Sequence, residues 1–180
     1  MILWINGAFG SGKSSVAEAI NKKVSPSFIY DPEQVGYFLW SVFPDVMKRK
    51  DDFQHMMIWR EFNYKILKHI SDNYSGLIIA PMTIYIKQYY DEIIGNLIRD
   101  GVSVLHIILS ATRQTIIERL LQRDDTADGW QAQHIDVCLK AFDVDISGKK
   151  IATDHRSVVE IASDIFDLLE IQYGQEALNS

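Results

Sequence analysis

The stretch that decides the fold is Gly7-Ala8-Phe9-Gly10-Ser11-Gly12-Lys13-Ser14, which fits the pattern G-x-x-x-x-G-K-S/T. The apolar run Ile2–Ile5 precedes it and predicts a strand, whereas the helical spacing of apolar residues over Lys13–Val24 predicts a helix after it. A strand, a glycine-rich turn and a helix in this order are the context that the pattern requires. The stretch therefore predicts a phosphate-binding loop, called the phosphate loop below.

The residue types of the phosphate loop suit the charged end of a nucleotide. Backbone N–H groups in a glycine-rich turn point inward and form an anion nest at the positive end of the following helix. We expect Lys13 to reach the β- and γ-phosphates and Ser14 to place its hydroxyl on Mg²⁺. The predicted cofactor-binding residues are Gly7, Ala8, Phe9, Gly10, Ser11, Gly12, Lys13, Ser14 and Ser15.

Short apolar runs alternate with helical spacing along the rest of the chain, as in successive βα units around a parallel sheet. The predicted strands are Ile2–Ile5, Ser27–Tyr30, Leu77–Ala80, Val102–Leu109 and Lys150–Thr153. The predicted helices are Lys13–Val24, Pro32–Phe43, His55–Asp72, Gln88–Asp100, Thr112–Arg123, Trp130–Phe142 and Ser157–Ile171. We therefore predict an α/β fold of the P-loop NTPase type, with three α/β/α layers and a five-stranded parallel sheet. No linker or repeat divides residues 1–180, so we expect a single domain.

Composition limits the partners of this domain. The chain has 180 residues and a net charge of −6, and it has no basic block, which argues against binding to a nucleic-acid polymer. Its single cysteine excludes a disulfide framework and fits a reducing compartment. The first apolar run is too short for a signal peptide or a membrane span. We expect a cytoplasmic protein without a transmembrane segment.

Two carboxylates follow the second predicted strand. Ligands of open α/β sheets lie beyond the carboxyl ends of the strands, so Asp31 and Glu33 are expected near the phosphate loop. A carboxylate there can orient an acceptor hydroxyl or take its proton. The alternative is a helix start, with Asp31 as N-cap and Pro32 in the first turn, and both can hold for Asp31.

Arg60 is a second candidate for the acceptor side. A guanidinium on the helix leading into the third strand can pair with an acidic acceptor or a transferred phosphoryl group. A solvated Arg60, or a contact with Tyr64, is an equally open interpretation. Several aromatic residues nearby can line an apolar acceptor pocket, although aromatic residues at this density are more often core. They are Tyr37, Phe38, Trp40, Phe43 and Trp59.

Two polar stretches, 48–52 and 124–129, are candidate lids. Arg119 and Arg123 share one helix face directly before the second of them and can swing onto nucleotide phosphates. A solvated face paired with nearby acidic residues is the alternative. The segment after the last strand, residues 153–155, is expected to border the nucleotide base.

The third predicted strand runs into Pro81-Met82-Thr83 and carries no carboxylate at its end. Motor and switch NTPases normally place a metal-binding Asp there. The missing carboxylate therefore disfavours a motor or a regulatory NTPase.

Several blocks of sequence resemble the tunicamycin-resistance ATP-binding proteins. They are residues 4–13, Tyr30-Asp31-Pro32-Glu33, Asp51-Asp52-Phe53-Gln54, Trp59-Arg60-Glu61-Phe62-Asn63-Tyr64 and Pro81-Met82-Thr83-Ile84. The resemblance implies ATP as cofactor and a nucleoside-monophosphate-kinase-like fold, related to shikimate kinase and chloramphenicol phosphotransferase. It also implies that Asp31 lies beside the acceptor hydroxyl and that Arg119 and Arg123 meet the phosphates.

Three functions remain open at this point, of which the regulatory NTPase is disfavoured by the missing carboxylate. The first is a Mg²⁺·ATP-dependent small-molecule phosphotransferase of the tunicamycin-resistance type, whose acceptor is tunicamycin or a nucleoside-like compound. Its catalytic residues would be Lys13, Asp31, Arg119 and Arg123, its acceptor-binding residues Asp31, Glu33 and Arg60, and its metal ligand Ser14. The second is a non-catalytic ATP-binding protein that sequesters an antibiotic.

Overall fold

The computed structural model of the chain describes residues 1–48, 52–122 and 129–174. Its strands form one parallel sheet in the order β2-β3-β1-β4-β5, which confirms the predicted five-stranded parallel sheet. The strands are β1 Ile2–Gly7, β2 Ser27–Ile29, β3 Leu77–Pro81, β4 Val104–Ser110 and β5 Lys149–Ala152. The central strand β1 is buried along its whole length, as expected of an apolar strand covered on both faces.

Helices connect the strands and cover both faces of the sheet. They are α1 Lys13–Asn21, α2 Glu33–Val42, α3 Met57–Asn73, α4 Lys87–Tyr90, α5 Asn96–Arg99, α6 Arg113–Leu121, α7 Trp130–Gln133, α8 Ile135–Val144 and α9 Val158–Tyr173. Helices α1 and α9 pack on one face of the sheet, with Val16 and Ile165 fully buried there. The other face is covered by two clusters that include Trp59 of α3 and Cys138 of α8.

Two of the predicted helices are interrupted, and a side chain marks each interruption. The stretch predicted as Gln88–Asp100 contains a π-helical segment, Asp91–Gly95, between α4 and α5. There the Asn96 side chain donates to the carbonyl oxygen of Glu92 (2.7 Å). In a regular α-helix this oxygen accepts from the backbone N–H of Asn96. The predicted helix Trp130–Phe142 breaks at His134, whose Nδ1 lies 2.7 Å from the Trp130 carbonyl oxygen.

The first predicted lid is described at Lys48 and Asp52, and the second at Gly129; the rest of both lids and Arg123 lie outside the described residues. No helix within the described ranges is long and apolar enough to cross a membrane.

Candidate active site

The phosphate loop connects β1 to α1 in the centre of the sheet. Gly10 and Gly12 have φ angles of +81° and +97°, which residues with a side chain rarely adopt. Lys13 Nζ donates to the carbonyl oxygens of Gly7 and Ala8, at 3.0 Å each. These two bonds hold the Lys13 side chain against the start of the phosphate loop.

The start of the phosphate loop is fixed to the segment after β3. Asn6, which is fully buried, accepts from the backbone N–H groups of Gly7 and Ile84, both at 2.9 Å. Its Nδ2 donates to the Ile84 carbonyl oxygen (3.0 Å), and Thr83 Oγ1 donates to the Gly7 carbonyl oxygen (2.8 Å). Sequence reasoning missed both residues. Their side chains occupy the neighbourhood in which motor and switch NTPases carry a carboxylate.

A cavity of about 190 Å³, called the phosphate cavity below, opens beside this loop. It is lined by Phe9, Gly10, Lys13, Ser14, Glu33, Pro81, Met82, Thr83, Leu120 and Gln131. Lys13 and Ser14 therefore face the same space, together with the carboxylate of Glu33. Lys13 stabilises the ionised form of Glu33, but burial and the charges of Asp31 and Asp52 outweigh it and raise the pKa of Glu33.

A larger cavity of about 410 Å³, called the nucleotide cavity below, lies on the other side of the loop. Its lining residues are Ser11, Gly12, Ser15, Val16, Arg119, Gln122, Arg156, Ser157, Val158 and Ile161. The hydroxyl of Ser11 is buried and has no hydrogen-bond partner within the described ranges, so the loop retains an unused donor beside this cavity.

Arg119 joins the two sides of the nucleotide cavity. Its guanidinium donates to the carbonyl oxygen and the hydroxyl of Thr153, at 2.7 and 2.9 Å, and to the carbonyl oxygen of Ser11 at 3.4 Å. Asp154 fixes the start of α6. Its carboxylate accepts from the backbone N–H and the hydroxyl of Thr112 and from the hydroxyl of Thr115. The segment after β5 thus positions the helix that carries Arg119.

We expect Arg119→Met to weaken ATP binding about tenfold to a hundredfold, because a charge-assisted contact to the nucleotide is lost. Isothermal titration calorimetry with ATP measures the change. Arg113→Met is the matched control on the same helix, since Arg113 is 57% exposed and pairs with the exposed Asp136. Equal affinities for the two variants would contradict a role of Arg119 in nucleotide binding.

A third cavity of about 250 Å³, called the acceptor cavity below, continues from the phosphate cavity. It is lined by Phe9, Glu33, Tyr37, Asp52, Phe53, Gln54, Met82 and Trp130. Phe9, Glu33 and Met82 line both cavities. Of the aromatic residues considered from the sequence, Tyr37 reaches this cavity, whereas Trp59 is fully buried in the core. Phe53 and Trp130 are additional members that sequence reasoning missed.

Asp31 and Glu33 play different parts in this arrangement. Asp31 accepts from the backbone N–H of Glu33 and from the side chain of Gln34, both at 2.9 Å. Helix α2 begins at Glu33 with Pro32 as its N-cap residue, so Asp31 lies one residue before the N-cap position predicted for it. Glu33 lies one turn before Tyr37 on α2, and both residues line the acceptor cavity.

Arg60 lies within the protein beneath the acceptor cavity, neither solvated nor bonded to Tyr64. It is 6% exposed, its Nε donates to Glu92 (2.5 Å), and its Nη1 donates to the carbonyl oxygen of Gln54 (2.5 Å). Its guanidinium also stacks on Tyr89, 4.1 Å from the ring centroid. Arg60 therefore holds Gln54, which lines the cavity. The pairing with Glu92 depends on residues far apart in the sequence, so no local pattern indicated it.

The acceptor cavity depends on a close approach of Phe53 to α2. A Cβ atom on Gly36 would lie 2.4 Å from the Phe53 ring, so glycine is required in the middle of this helix. The ring also packs on Trp40 and Tyr37, with centroid distances of 4.3 and 5.2 Å. Phe53 thereby forms one wall of the cavity.

We expect Gly36→Ala to destabilise the protein by about 1–3 kcal/mol, because the overpacked ring and its segment must move. Urea denaturation measures this loss. Gly95→Ala is the matched control, because its Cβ atom would meet no atom closer than 3.5 Å. Alanine there should stabilise the helical stretch by about 0.5–1 kcal/mol. Equal stability of the two variants would show that Phe53 tolerates a methyl group at position 36.

The central phosphate loop, the parallel sheet and the three adjoining cavities define a P-loop fold of the nucleotide-kinase class. The structure is similar to that of a tunicamycin resistance protein from Deinococcus radiodurans, with a TM-score of 0.80 and 24% identity over 93% of this chain and 94% of that chain. It is also similar to a sugar kinase from Janibacter, with a TM-score of 0.70 and 13% identity over 99% and 98% of the two chains.

An APS kinase from Mycobacterium tuberculosis, whose structure was solved with AMPPNP and APS, has a TM-score of 0.61 and 18% identity over 94% of this chain and 96% of that chain. No protein-family model and no curated protein matches the chain. These structural similarities confirm the fold predicted from the sequence. The first of them also confirms the predicted resemblance to a tunicamycin resistance protein.

Proposed function

We propose that this protein is a Mg²⁺·ATP-dependent phosphotransferase that acts on a small molecule. The observation that carries the proposal is the continuity of the acceptor cavity with the phosphate cavity through Phe9, Glu33 and Met82. A protein that only hydrolyses a nucleotide has no need for such a second cavity, whereas a protein that sequesters an antibiotic would also use one. The segment after β3 also supports a kinase over a regulatory NTPase, because it offers Thr83 in place of a carboxylate.

The nucleotide would occupy the nucleotide cavity, with its phosphates along the phosphate loop. Arg119, which lines this cavity, would contact the phosphates. Residues 153–155 would border the base, since Thr153 holds Arg119. We assign Arg123, which follows the described part of α6, to the same phosphates on the sequence pattern alone. The reaction would take place in the cytoplasm, where ATP is supplied.

In the reaction, an acceptor hydroxyl oxygen would form a bond to the γ-phosphorus as the bond to the β–γ bridging oxygen breaks, and ADP would leave. Glu33 would take the hydroxyl proton, because it lines both cavities. This assigns to Glu33 the role that the sequence resemblance gave to Asp31. Lys13 would stabilise the negative charge that moves toward the leaving ADP.

Magnesium fits this site through its oxygen donors. Ser14 lines the phosphate cavity with Glu33, and hard oxygen ligands are those that Mg²⁺ prefers. No group of three or more His, Cys, Asp or Glu residues with metal-binding geometry occurs within the described ranges. A site with few protein ligands suits Mg²⁺, which usually retains several waters and is held largely by substrate phosphates. Ser14 would be its protein ligand. When bound, the ion would neutralise phosphate charge.

Mass spectrometry after incubation with Mg²⁺ and ATP tests the proposal directly. The acceptors to compare are tunicamycin, uridine and other nucleosides, and amino sugars. We expect one class to gain a phosphoryl group in wild-type protein and to gain it at least about a hundredfold more slowly in Glu33→Gln. Tight ATP binding without a phosphorylated product from any acceptor would overturn the proposal and leave sequestration of the antibiotic as the function.

A further inference from the structure

The lining of the acceptor cavity has a marked excess of hydrogen-bond acceptors. Glu33 and Asp52 contribute carboxylates, and no lysine or arginine is among the residues that line this cavity in the described ranges. Burial raises the pKa of Asp52, and the hydrogen bond from the Gln54 backbone and the nearby rings of His55 and His134 offset this in part. The Asp52 carboxylate accepts two hydrogen bonds from Gln54, but both of these donors are neutral. A ligand that brings a positively charged donor would stabilise the ionised carboxylates of this lining further.

Gln54 adds an independent observation. It is 1% exposed and lines the cavity, and its Oε1 has no hydrogen-bond partner in the part of the chain that the structure describes. The other polar groups of Gln54 are committed, because its N and Nε2 donate to Asp52 at 3.0 and 2.9 Å and its carbonyl oxygen accepts from Arg60. The amide is thus held in one orientation, with the oxygen left for a donor from a ligand.

Arg60 excludes one class of ligand. It is the arginine packed beneath the cavity, but its Nε donates to Glu92 and its Nη1 to the Gln54 carbonyl oxygen. Its positive charge is therefore compensated within the protein and is not offered to an anionic acceptor. A phosphate or carboxylate on the acceptor would face Glu33 and Asp52 instead.

Aromatic rings complete the lining. Phe9 and Trp130 meet edge to face, with ring centroids 5.0 Å apart, and Tyr37 and Phe53 form a second such pair at 5.2 Å. Aromatic faces attract ammonium groups as well as the apolar faces of sugar rings.

Building on the proposed phosphotransferase, we propose that the acceptor is a polyhydroxylated molecule that carries a protonated amine, such as an amino sugar. Asp52 and Gln54 form the ammonium subsite, and the aromatic pairs enclose the ring. Glu33 remains at the phosphate side, beside the hydroxyl that is phosphorylated. Because Glu33 lines both cavities and Asp52 lines the acceptor cavity alone, the reacting hydroxyl would lie nearer the phosphate cavity than the amine.

Four hexoses that differ in charge test this inference by ligand-observed NMR on the full chain with Mg²⁺ and a non-hydrolysable ATP analogue. They are glucosamine, glucose, N-acetylglucosamine and glucuronate. We expect glucosamine to bind about tenfold more tightly than the two neutral sugars, since hydrogen bonds to a charged group are stronger than neutral ones. Glucuronate should show no binding.

Two variants test the assigned subsite. Asp52→Asn should reduce the preference for glucosamine over glucose to about twofold or less, because the charge that distinguishes the two sugars is removed. Gln54→Met keeps the volume of the side chain and should weaken glucosamine without restoring glucuronate. Asp72→Asn is the control, since Asp72 is an exposed partner of Lys68 on α3. Thermal unfolding checks that each variant is folded.

The outcomes separate this inference from the proposed function. Glucosamine binding that depends on Asp52, without phosphoryl transfer from ATP, supports the subsite and contradicts the phosphotransferase. Transfer to a neutral or anionic acceptor, with a preference that Asp52→Asn leaves unchanged, supports the phosphotransferase and overturns the ammonium subsite. Tighter binding of glucose or glucuronate than of glucosamine, or no glucosamine binding, also overturns it.

Discussion

Lys13→Met is expected to lower the rate of phosphoryl transfer about a thousandfold, because removal of one preorganised charge donor from a transition state costs this much in other enzymes. Lys13 Nζ is held at 3.0 Å from two carbonyl oxygens of the phosphate loop, so its position is fixed before the nucleotide arrives. Methionine preserves the length and much of the volume of the side chain. Single-turnover measurements at saturating ATP separate the effect on transfer from any effect on nucleotide affinity.

Lys22→Met provides the control, because Lys22 is an exposed residue at the end of the same helix. It should transfer phosphate at the wild-type rate. A Lys13→Met variant that retains more than about a tenth of the rate would contradict the assignment of Lys13 to the transition state.

Glu33→Gln is expected to lower the transfer rate about a hundredfold to a thousandfold, within the range of general-base catalysis. Asp31→Asn is the informative comparison, because its carboxylate is engaged at the start of α2 and should affect transfer much less. The rate ratio of these two variants decides which carboxylate takes the proton. A larger loss with Asp31→Asn would return the role to Asp31.

The pH dependence of the transfer rate gives a second test of Glu33 as the base. Burial, together with the charges of Asp31 and Asp52, raises its pKa above the ordinary value of 4.5. A base acts in its deprotonated form, so the transfer rate should rise with pH through this raised pKa and then level off. A pH profile of single-turnover rates shows this rise in wild type. Glu33→Gln should remove it, whereas Asp31→Asn should retain the rise but shift it to lower pH, because the charge of Asp31 contributes to the raised pKa of Glu33.

The fold could be predicted from the sequence because its signals are local. The phosphate loop and the apolar strands required no knowledge of distant residues, and all five predicted strands are present within a few residues of their expected bounds. The two helix interruptions were not predicted, because apolar periodicity does not record how side chains bond to the helix backbone. Asn96 and His134 each bond to the carbonyl oxygen four residues earlier at the interruptions, although Asn63 makes the same bond within the continuous α3.

The acceptor side was less predictable, because it depends on contacts between distant segments. The sequence placed Asp31 and Glu33 together after β2, but the start of α2 determines that Asp31 turns back and Glu33 faces the cavity. Arg60 was predicted either to pair with an acidic acceptor or to be solvated or beside Tyr64, and the structure instead buries it against Glu92. This pairing could not be predicted, because Glu92 lies 32 residues later and carries no motif.

The position of Trp130 gives the protein an optical signal of its own. Trp4 and Trp59 are fully buried, Trp40 is partly buried and packs on Phe53 of the cavity wall, and Trp130 is 40% exposed at the boundary of the phosphate loop and the acceptor cavity. A molecule entering this cavity would change the polarity around the Trp130 indole directly, and Trp130→Phe separates that change from any response of Trp40. Intrinsic fluorescence, with Trp130→Phe as the blank, can therefore follow the arrival of an acceptor in real time without any label.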